Sequence, residues 1–140
     1  PTIFDKAVSE TDLYDNQIKQ LHLEGKNSAE IFEAIAIRDV QSAADLMINV
    51  YKKTQHKDGY ISIEVSPKLA NNSELTIEEG IRLWNSIDRP NIMIKVPGTE
   101  SGSVAIRKLI SLGINVNVTL LFSVESYIRS ARAYIDGLND

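Results

Sequence analysis

The chain contains no cysteine. That single absence removes a disulfide frame, a thiolate nucleophile and a thiolate metal site. There are only two histidines, His22 and His56, both in polar stretches that predict exposure. Two isolated imidazoles make neither a zinc site nor a histidine-centred triad. No apolar run approaches the roughly 18 residues that cross a bilayer, and the first residues do not read as a charged-then-apolar leader. Positive charge is not in excess: 15 Lys and Arg against 19 Asp and Glu leave a net charge of -4. This balance argues against general nucleic-acid binding, while a local basic group can still receive a small anion. Low-complexity tracts and compositional breaks are also missing. The expectation is a cytoplasmic protein that works on small molecules, with neither nucleic acid nor membrane as a partner.

What is present is a chain of 140 residues, 43% hydrophobic and 24% charged, the balance of a globular domain with a real core. Residues 1–24 open on Pro1-Thr2-Ile3-Phe4, an odd start for a βα fold, and continue as one helical stretch. Ile18, Leu21 and Leu23 are its apolar positions and Gly25 is its stop. Asn27 with Glu30 forms a capping pair for a helical region over 27–55, in which Val40, Ala43, Ala44, Met47, Val50 and Tyr51 recur at helical spacing. Tyr60-Ile61-Ser62-Ile63-Glu64-Val65 then predicts a strand, ended by Ser66-Pro67. Thr76 with Glu79 predicts a capping box for the next helix, with Ile77, Ile81, Trp84 and Ile87 as its apolar face. Asp88-Arg89-Pro90 closes it and leads into a strand over Asn91–Val96. A helix from about Ser101 to Leu112 is expected to bury Val104, Ile106, Leu109 and Ile110 before Gly113 stops it. Ile114–Leu120 is the third strand, and Ser123 caps a last helix carrying Tyr127, Ile128, Ala131, Tyr134 and Ile135.

Three strands alternating with helices every 25 to 30 residues predict βα units with parallel, neighbouring strands. Either an open doubly wound sheet or part of a (β/α)8 barrel satisfies that pattern. Alternation along the strands separates two faces. Ile61, Ile63 and Val65, then Ile92, Ile94 and Val96, then Ile114, Val116, Val118 and Leu120 form a face that would pack on helices. The other face carries Ser62 and Glu64, then Met93 and Lys95, then Asn115, Asn117 and Thr119. A parallel sheet covered on both sides reads as apolar throughout, whereas here the second face is polar in all three strands. A barrel accounts for this, because its interior collects polar side chains near the C-terminal rim, where active sites are built. The competing explanation is a polar face open to solvent, as in an antiparallel meander, which the helical crossovers disfavour.

An amine enclosed in a barrel loses solvation, which favours its neutral, nucleophilic form. Lys95 so placed would add to a ketone or aldehyde and form a Schiff base that acts as an electron sink. Carbinolamine formation and carbon–carbon cleavage both need proton transfers. Glu64 on the adjacent strand suits them, through a water held by a hydroxyl such as that of Thr119. Plainer readings stay open at this point: a surface lysine, a Glu64–Lys95 ion pair without catalysis, and Thr119 and Asn117 merely satisfying polar neighbours.

Ile61-Ser62-Ile63-Glu64-Val65, Ile92-Met93-Ile94-Lys95-Val96 and Asn115-Val116-Asn117-Val118-Thr119-Leu120-Leu121-Phe122-Ser123 resemble, in order and spacing, the third, fourth and fifth strand motifs of transaldolases. The resemblance implies a (β/α)8 TIM barrel that transfers a dihydroxyacetone unit between sugar phosphates in the pentose phosphate route, without a metal or organic cofactor. Sedoheptulose 7-phosphate, fructose 6-phosphate, glyceraldehyde 3-phosphate and erythrose 4-phosphate are the substrates it implies. Lys95 then matches the family's Schiff-base lysine, Glu64 and Thr119 its water-relaying acid/base pair, and Asn117 a substrate-contacting asparagine. A fructose 6-phosphate aldolase-like lyase is the nearest enzymatic alternative, though the long helical lead-in before Tyr60 favours the larger transaldolases.

The chain also departs from that family pattern. Pro1 resembles the end of the family's threonine/serine-asparagine-proline motif after the second strand. The first strand with its catalytic aspartate, and the sixth to eighth strands with the serine and arginines that hold the phosphate, have no counterpart. A complete barrel takes roughly 200 residues or more. The expectation is therefore a single partial barrel domain over 1–140: a fragment of a longer chain, or else a homo-oligomer that completes its sheet. Were Pro1 and Asp140 true termini, the chain would show no transaldolase turnover, and a non-catalytic interaction module is the alternative from a different functional class.

Overall fold

A computed structural model describes residues 2–140, with side chains described from Lys6 onward. Six helices and three strands follow in the order α1 (Thr2–Ser9), α2 (Asp15–Leu23), α3 (Ser28–Lys53), β1 (Ile61–Glu64), α4 (Ser73–Ile87), β2 (Ile92–Pro97), α5 (Glu100–Ser111), β3 (Val116–Thr119) and α6 (Val124–Asn139). A short 3-10 turn, Pro67–Leu69, lies between β1 and α4. The chain divides into two compact units, 1–39 and 40–140, and the boundary falls inside α3.

In the first unit the single helical stretch expected before Gly25 is broken in two. The polar run Ser9-Glu10-Thr11-Asp12 turns the backbone to local partners: Thr11 Oγ1 donates to the Ala7 carbonyl at 2.6 Å, and Asp15 N to the Asp12 carbonyl at 3.2 Å. Side chains of this kind compete with helix continuation. Leu21 is buried as expected, whereas Leu23 is exposed. The cap of α3 forms as predicted: Asn27 Oδ1 accepts from the backbone N–H of Ala29 and Glu30, and Glu30 Oε2 accepts from Asn27 N at 2.8 Å. Near the end of this unit, Tyr14 donates its hydroxyl proton to Asp39 Oδ2 at 2.6 Å. That bond to a carboxylate raises the phenol's pKa above its ordinary value. Pro1, read from the sequence as the end of a family motif, lies outside the described residues.

The second unit is a three-stranded parallel sheet in the order β1-β2-β3 with helices α4, α5 and α6, as the alternating pattern predicts. Ile92, Ile94 and Val96 are wholly buried, and so are Leu109 of α5 and Ile87 of α4. Val116 and Val118 line the same small cleft as Ile106 of α5 and Ser130 of α6. The aliphatic face of the sheet is thus the helix-covered one. Leu120 leaves that pattern: directly after Thr119 it takes a left-handed conformation (φ 59°) and is 60% exposed. A left-handed backbone cannot continue a strand, so β3 ends there.

Helix α4 begins earlier than the Thr76–Glu79 signal predicts. Asn72 is the cap, its Oδ1 accepting from Leu75 N at 3.0 Å, while Thr76 sits inside the helix. Buried among apolar neighbours, the Thr76 hydroxyl donates back to the Leu69 and Asn72 carbonyls. The buried stripe of α4 is Thr76, Gly80, Leu83 and Ile87, with Ile77, Ile81 and Trp84 half-buried at its flank. Small residues stand at the centre because α5 comes close: a Cβ on Gly80 would lie 3.0 Å from Leu109 Cδ1. In α5, Ile106 and Leu109 are buried as expected, Ile110 is half-buried, and Val104 is 55% exposed, outside the buried stripe. Gly25 and Gly113 follow α2 and α5 with φ of 83° and 74°, the left-handed stop their type predicts. Ser123 caps α6, accepting from Ser126 N at 3.1 Å.

The entry to β2 is fixed by Asn91, which is fully buried. Its Nδ2 donates to the Ala44 carbonyl at 2.8 Å and to the Gly59 carbonyl at 2.9 Å, joining the second half of α3 and the entry to β1 at one side chain. Asn91→Ala removes both bonds and leaves two carbonyls a partner short. We expect it to cost about 2–3 kcal/mol of unfolding free energy, read by urea denaturation. A loss below about 0.5 kcal/mol would show that these bonds do not hold β2 in place.

A surface pair reports on pH. Arg89 donates bidentately to Asp45, at 2.6 and 3.0 Å. The hydrogen bond from the guanidinium holds the Asp45 carboxyl below its ordinary pKa. Because the folded-state pKa is lowered, the pair's contribution is present above the unfolded carboxylate value of about 3.9 and is lost as pH falls through the folded value. Asp45→Asn should therefore lower Tm slightly at neutral pH, with the gap from the parent closing below about pH 4. A gap that widens in acid would reverse the sign of this account.

Candidate active site

The C-terminal halves of the strands set the polar face. Register pairs Glu64 with Lys95 and Lys95 with Asn117, placing all three in one row across the sheet. Paired positions in a parallel ladder share a face, so these side chains leave the sheet on the same side. Thr119 pairs with Pro97, two residues nearer the strand ends than the row. Asn117 therefore lies one layer below Thr119 in the register. Ser62 pairs with Met93 one layer further down.

Lys95 Nζ lies 3.8 Å from Glu64 Oε2, with the two side chains 33% and 41% exposed. That distance is beyond a hydrogen bond and within Coulombic reach. At such exposure the attraction is worth little as stabilisation. The lysine backbone is held more firmly than its head: its carbonyl accepts from Val65 N at 3.2 Å, and Ile94 N donates to the Asn115 carbonyl at 2.8 Å. The backbone is thus fixed while the amine, loosely paired with Glu64, projects from the half-exposed face of the sheet.

Thr119 contributes a hydroxyl that is buried yet has no hydrogen-bond partner among the described residues. Buried hydroxyls are seldom left in that state without a water or ligand oxygen to satisfy them. Asn117 reaches the other way, its Nδ2 donating to Ser62 Oγ at 3.1 Å across the middle strand. Alternation placed Ser62 on this face, but nothing in the sequence signalled the bridge. Asn115, on the same face, is turned to the backbone of β2, donating to the Ile92 carbonyl at 3.0 Å.

The loop after β2 is held from three directions. Gly98 N donates to the Thr119 carbonyl at 2.7 Å, continuing the ladder past Pro97. Thr99 caps α5, accepting from Gly102 N at 2.9 Å, and its hydroxyl proton goes to the Ala70 carbonyl at 2.6 Å. Arg129 of α6 adds a long contact, Nη2 to the Gly98 carbonyl at 3.5 Å. Sequence reading missed Arg129, because 31 residues separate it from the loop and helical periodicity says nothing of that contact. An open groove of about 690 Å³ lies between α5 and α6 and is lined by Arg107, Ile128 and Arg132 among others. None of the four predicted site residues lines it. His22 and His56 are exposed, His56 stacked on Tyr51 with ring centroids 4.2 Å apart. No group of three or more His, Asp or Glu able to hold a metal occurs among the described residues. No helix among them is long and apolar enough to cross a membrane.

A parallel α/β sheet that brings an amine, a carboxylate, a carboxamide and an unpartnered hydroxyl to the C-terminal ends of three adjacent strands has the layout of a small-molecule α/β enzyme. The family model described as Transaldolase/Fructose-6-phosphate aldolase matches residues 1–138. The chain belongs to that family. Similar proteins include the transaldolase of Trichodesmium erythraeum, 50% identical over 138 residues, and proteins named transaldolase 2 from Nostoc sp. PCC 7120 and Streptomyces coelicolor, at 45% and 46%. Each match takes in 99% of this chain but only 36–37% of the relative. The chain thus spans little more than a third of the length of these curated relatives.

Proposed function

We propose that this span carries the nucleophile and acid/base portion of a transaldolase, which moves a dihydroxyacetone unit from a ketose phosphate to an aldose phosphate. The single observation that supports this best is the shared row of Glu64, Lys95 and Asn117 with Thr119 just beyond it. In this reading the three strands are part of a (β/α)8 barrel, and the remaining strands lie outside the span, in keeping with its share of the relatives' length. The barrel wall would then enclose the face that is half-exposed here. Fructose 6-phosphate and sedoheptulose 7-phosphate are the donors, erythrose 4-phosphate and glyceraldehyde 3-phosphate the acceptors. No cofactor enters the proposal.

Each group has a chemical task. Lys95 Nζ adds to the donor's carbonyl carbon, and loss of water leaves an iminium. The iminium draws in the electrons of the adjacent carbon–carbon bond while the neighbouring hydroxyl gives up its proton. The aldehyde departs and an enamine remains on the lysine. Its carbon then attacks the aldehyde carbon of the acceptor, whose oxygen takes a proton, and water hydrolyses the new iminium to free the product and the lysine. Glu64 takes and returns these protons through a water that the unpartnered Thr119 hydroxyl holds. Asn117 holds a substrate hydroxyl in the lysine's row. A fructose 6-phosphate aldolase would use the same lysine, but its enamine carbon would take a proton, and water would hydrolyse the resulting iminium to release dihydroxyacetone instead of passing it to an acceptor. The names of the relatives favour transfer.

Glu64→Gln separates proton relay from simple ion pairing. In the full-length protein that carries this span, we expect transfer from fructose 6-phosphate to erythrose 4-phosphate to fall by about a hundredfold or more. Borohydride should still capture an adduct on Lys95, only more slowly. A transfer rate within about threefold of the parent would leave Glu64 as an ion-pair partner and nothing more.

A further inference from the structure

One hydrogen bond on the Lys95 face joins the two outer strands of the sheet. Asn117 of β3 and Ser62 of β1 meet at 3.1 Å, although neighbouring strands lie about 4.8 Å apart and these two have β2 between them. Ser62 is level with Met93 and Asn117 is level with Lys95. The bridge therefore runs diagonally over β2, from the layer beneath the lysine into the lysine's own row.

A carboxamide is planar, with an acceptor and a donor that exchange places when the group turns over. The terminal torsion of asparagine is broad and nearly two-fold, so an unanchored amide populates both states. Here the carboxamide is bonded to Ser62 Oγ, which fixes its plane; a hydroxyl both donates and accepts, so the bond survives in either orientation of the amide. Among the described residues nothing donates to Asn117 Oδ1. The outward side of the amide is left open to a partner from beyond the described residues.

We propose that Ser62 is a positioning residue: its hydroxyl holds the plane of the Asn117 carboxamide and so presents the outward polar atom of the amide to a hydroxyl of the carbonyl substrate held at Lys95. The substrate class is then a polyhydroxy ketone, and a bare ketone is disfavoured because it leaves that polar atom unpaired. The proposal rests on Lys95 acting as the nucleophile.

The test is borohydride capture on the protein with three carbonyl probes: fructose 6-phosphate, dihydroxyacetone and acetone. Acetone has no hydroxyl for Asn117 to hold. Ser62→Ala should raise the half-saturating concentration of the two hydroxylated probes by roughly five- to tenfold, while acetone capture changes by less than about twofold. Ser62→Thr, which keeps the hydroxyl and suits a strand, should restore most of the loss. Adding Ser62→Ala to Asn117→Ala should cost nothing further, because the serine acts only through the amide. Equal impairment with all three probes would reduce Ser62 to a structural role and overturn the inference, and so would full additivity with Asn117→Ala. A Lys95 adduct in the parent that is indifferent to Ser62 overturns this inference alone. No adduct with any probe in the parent overturns the nucleophile reading, and this inference with it.

Discussion

Lys95→Met is expected to abolish capture of fructose 6-phosphate by borohydride and to lower transfer by at least about a thousandfold, the scale of losing a covalent nucleophile. Methionine keeps a flexible apolar stem of similar length. The lysine head is a third exposed and its pairing with Glu64 is long, so little folding free energy goes with the amine. Circular dichroism and Tm should stay close to the parent. Lys95→Arg should be as inactive as Lys95→Met, because a guanidinium keeps the charge but does not add to a carbonyl. Activity retained in the arginine variant would mean that the position contributes only positive charge. A collapse in stability for Lys95→Met would mean that the lysine is there for packing.

The second large effect is structural and falls on the loop that follows the lysine's strand. A Cβ on Gly102 would collide with the Pro97 carbonyl oxygen and sit 3.0 Å from Thr99 Oγ1. The first contact is with backbone, so no rotamer change relieves it, and α5 must move away from the end of β2. Gly102→Ala is expected to cost about 3 kcal/mol or more, despite alanine's better helix propensity. That corresponds to a fall in Tm of about 10 °C. It should also disturb the Thr99 cap and with it the Thr99 bond to the Ala70 carbonyl. A neutral or stabilising result would show that the close approach of α5 to β2 is not the arrangement in solution.

The face bearing Glu64, Lys95, Asn117 and Thr119 was legible in the sequence because strand alternation is a two-residue period that no turn interrupts. Apolar Ile92, Ile94 and Val96 fix one side, and everything between them must take the other. The α3 and α6 caps were legible for a similar reason, each resting on a polar side chain that answers an N–H three residues on. The α4 start was not. Asn72 and Thr76 both stand three residues ahead of a plausible partner, and the cap falls to Asn72 because the buried Thr76 turns its hydroxyl back to the Leu69 and Asn72 carbonyls ahead of the helix. Val104 was misplaced because helical spacing gives a stripe without saying which neighbour covers its edge. The Ser62–Asn117 bridge and the Arg129–Gly98 contact depend on residues 55 and 31 positions apart, and neither leaves a local signal.

The most direct test of the central claim is peptide mapping of the protein after borohydride treatment with fructose 6-phosphate. The account predicts a reduced three-carbon adduct on the peptide containing Lys95, and its loss in Lys95→Met. A folded sample that gives no adduct, or an adduct confined to other lysines, would contradict it.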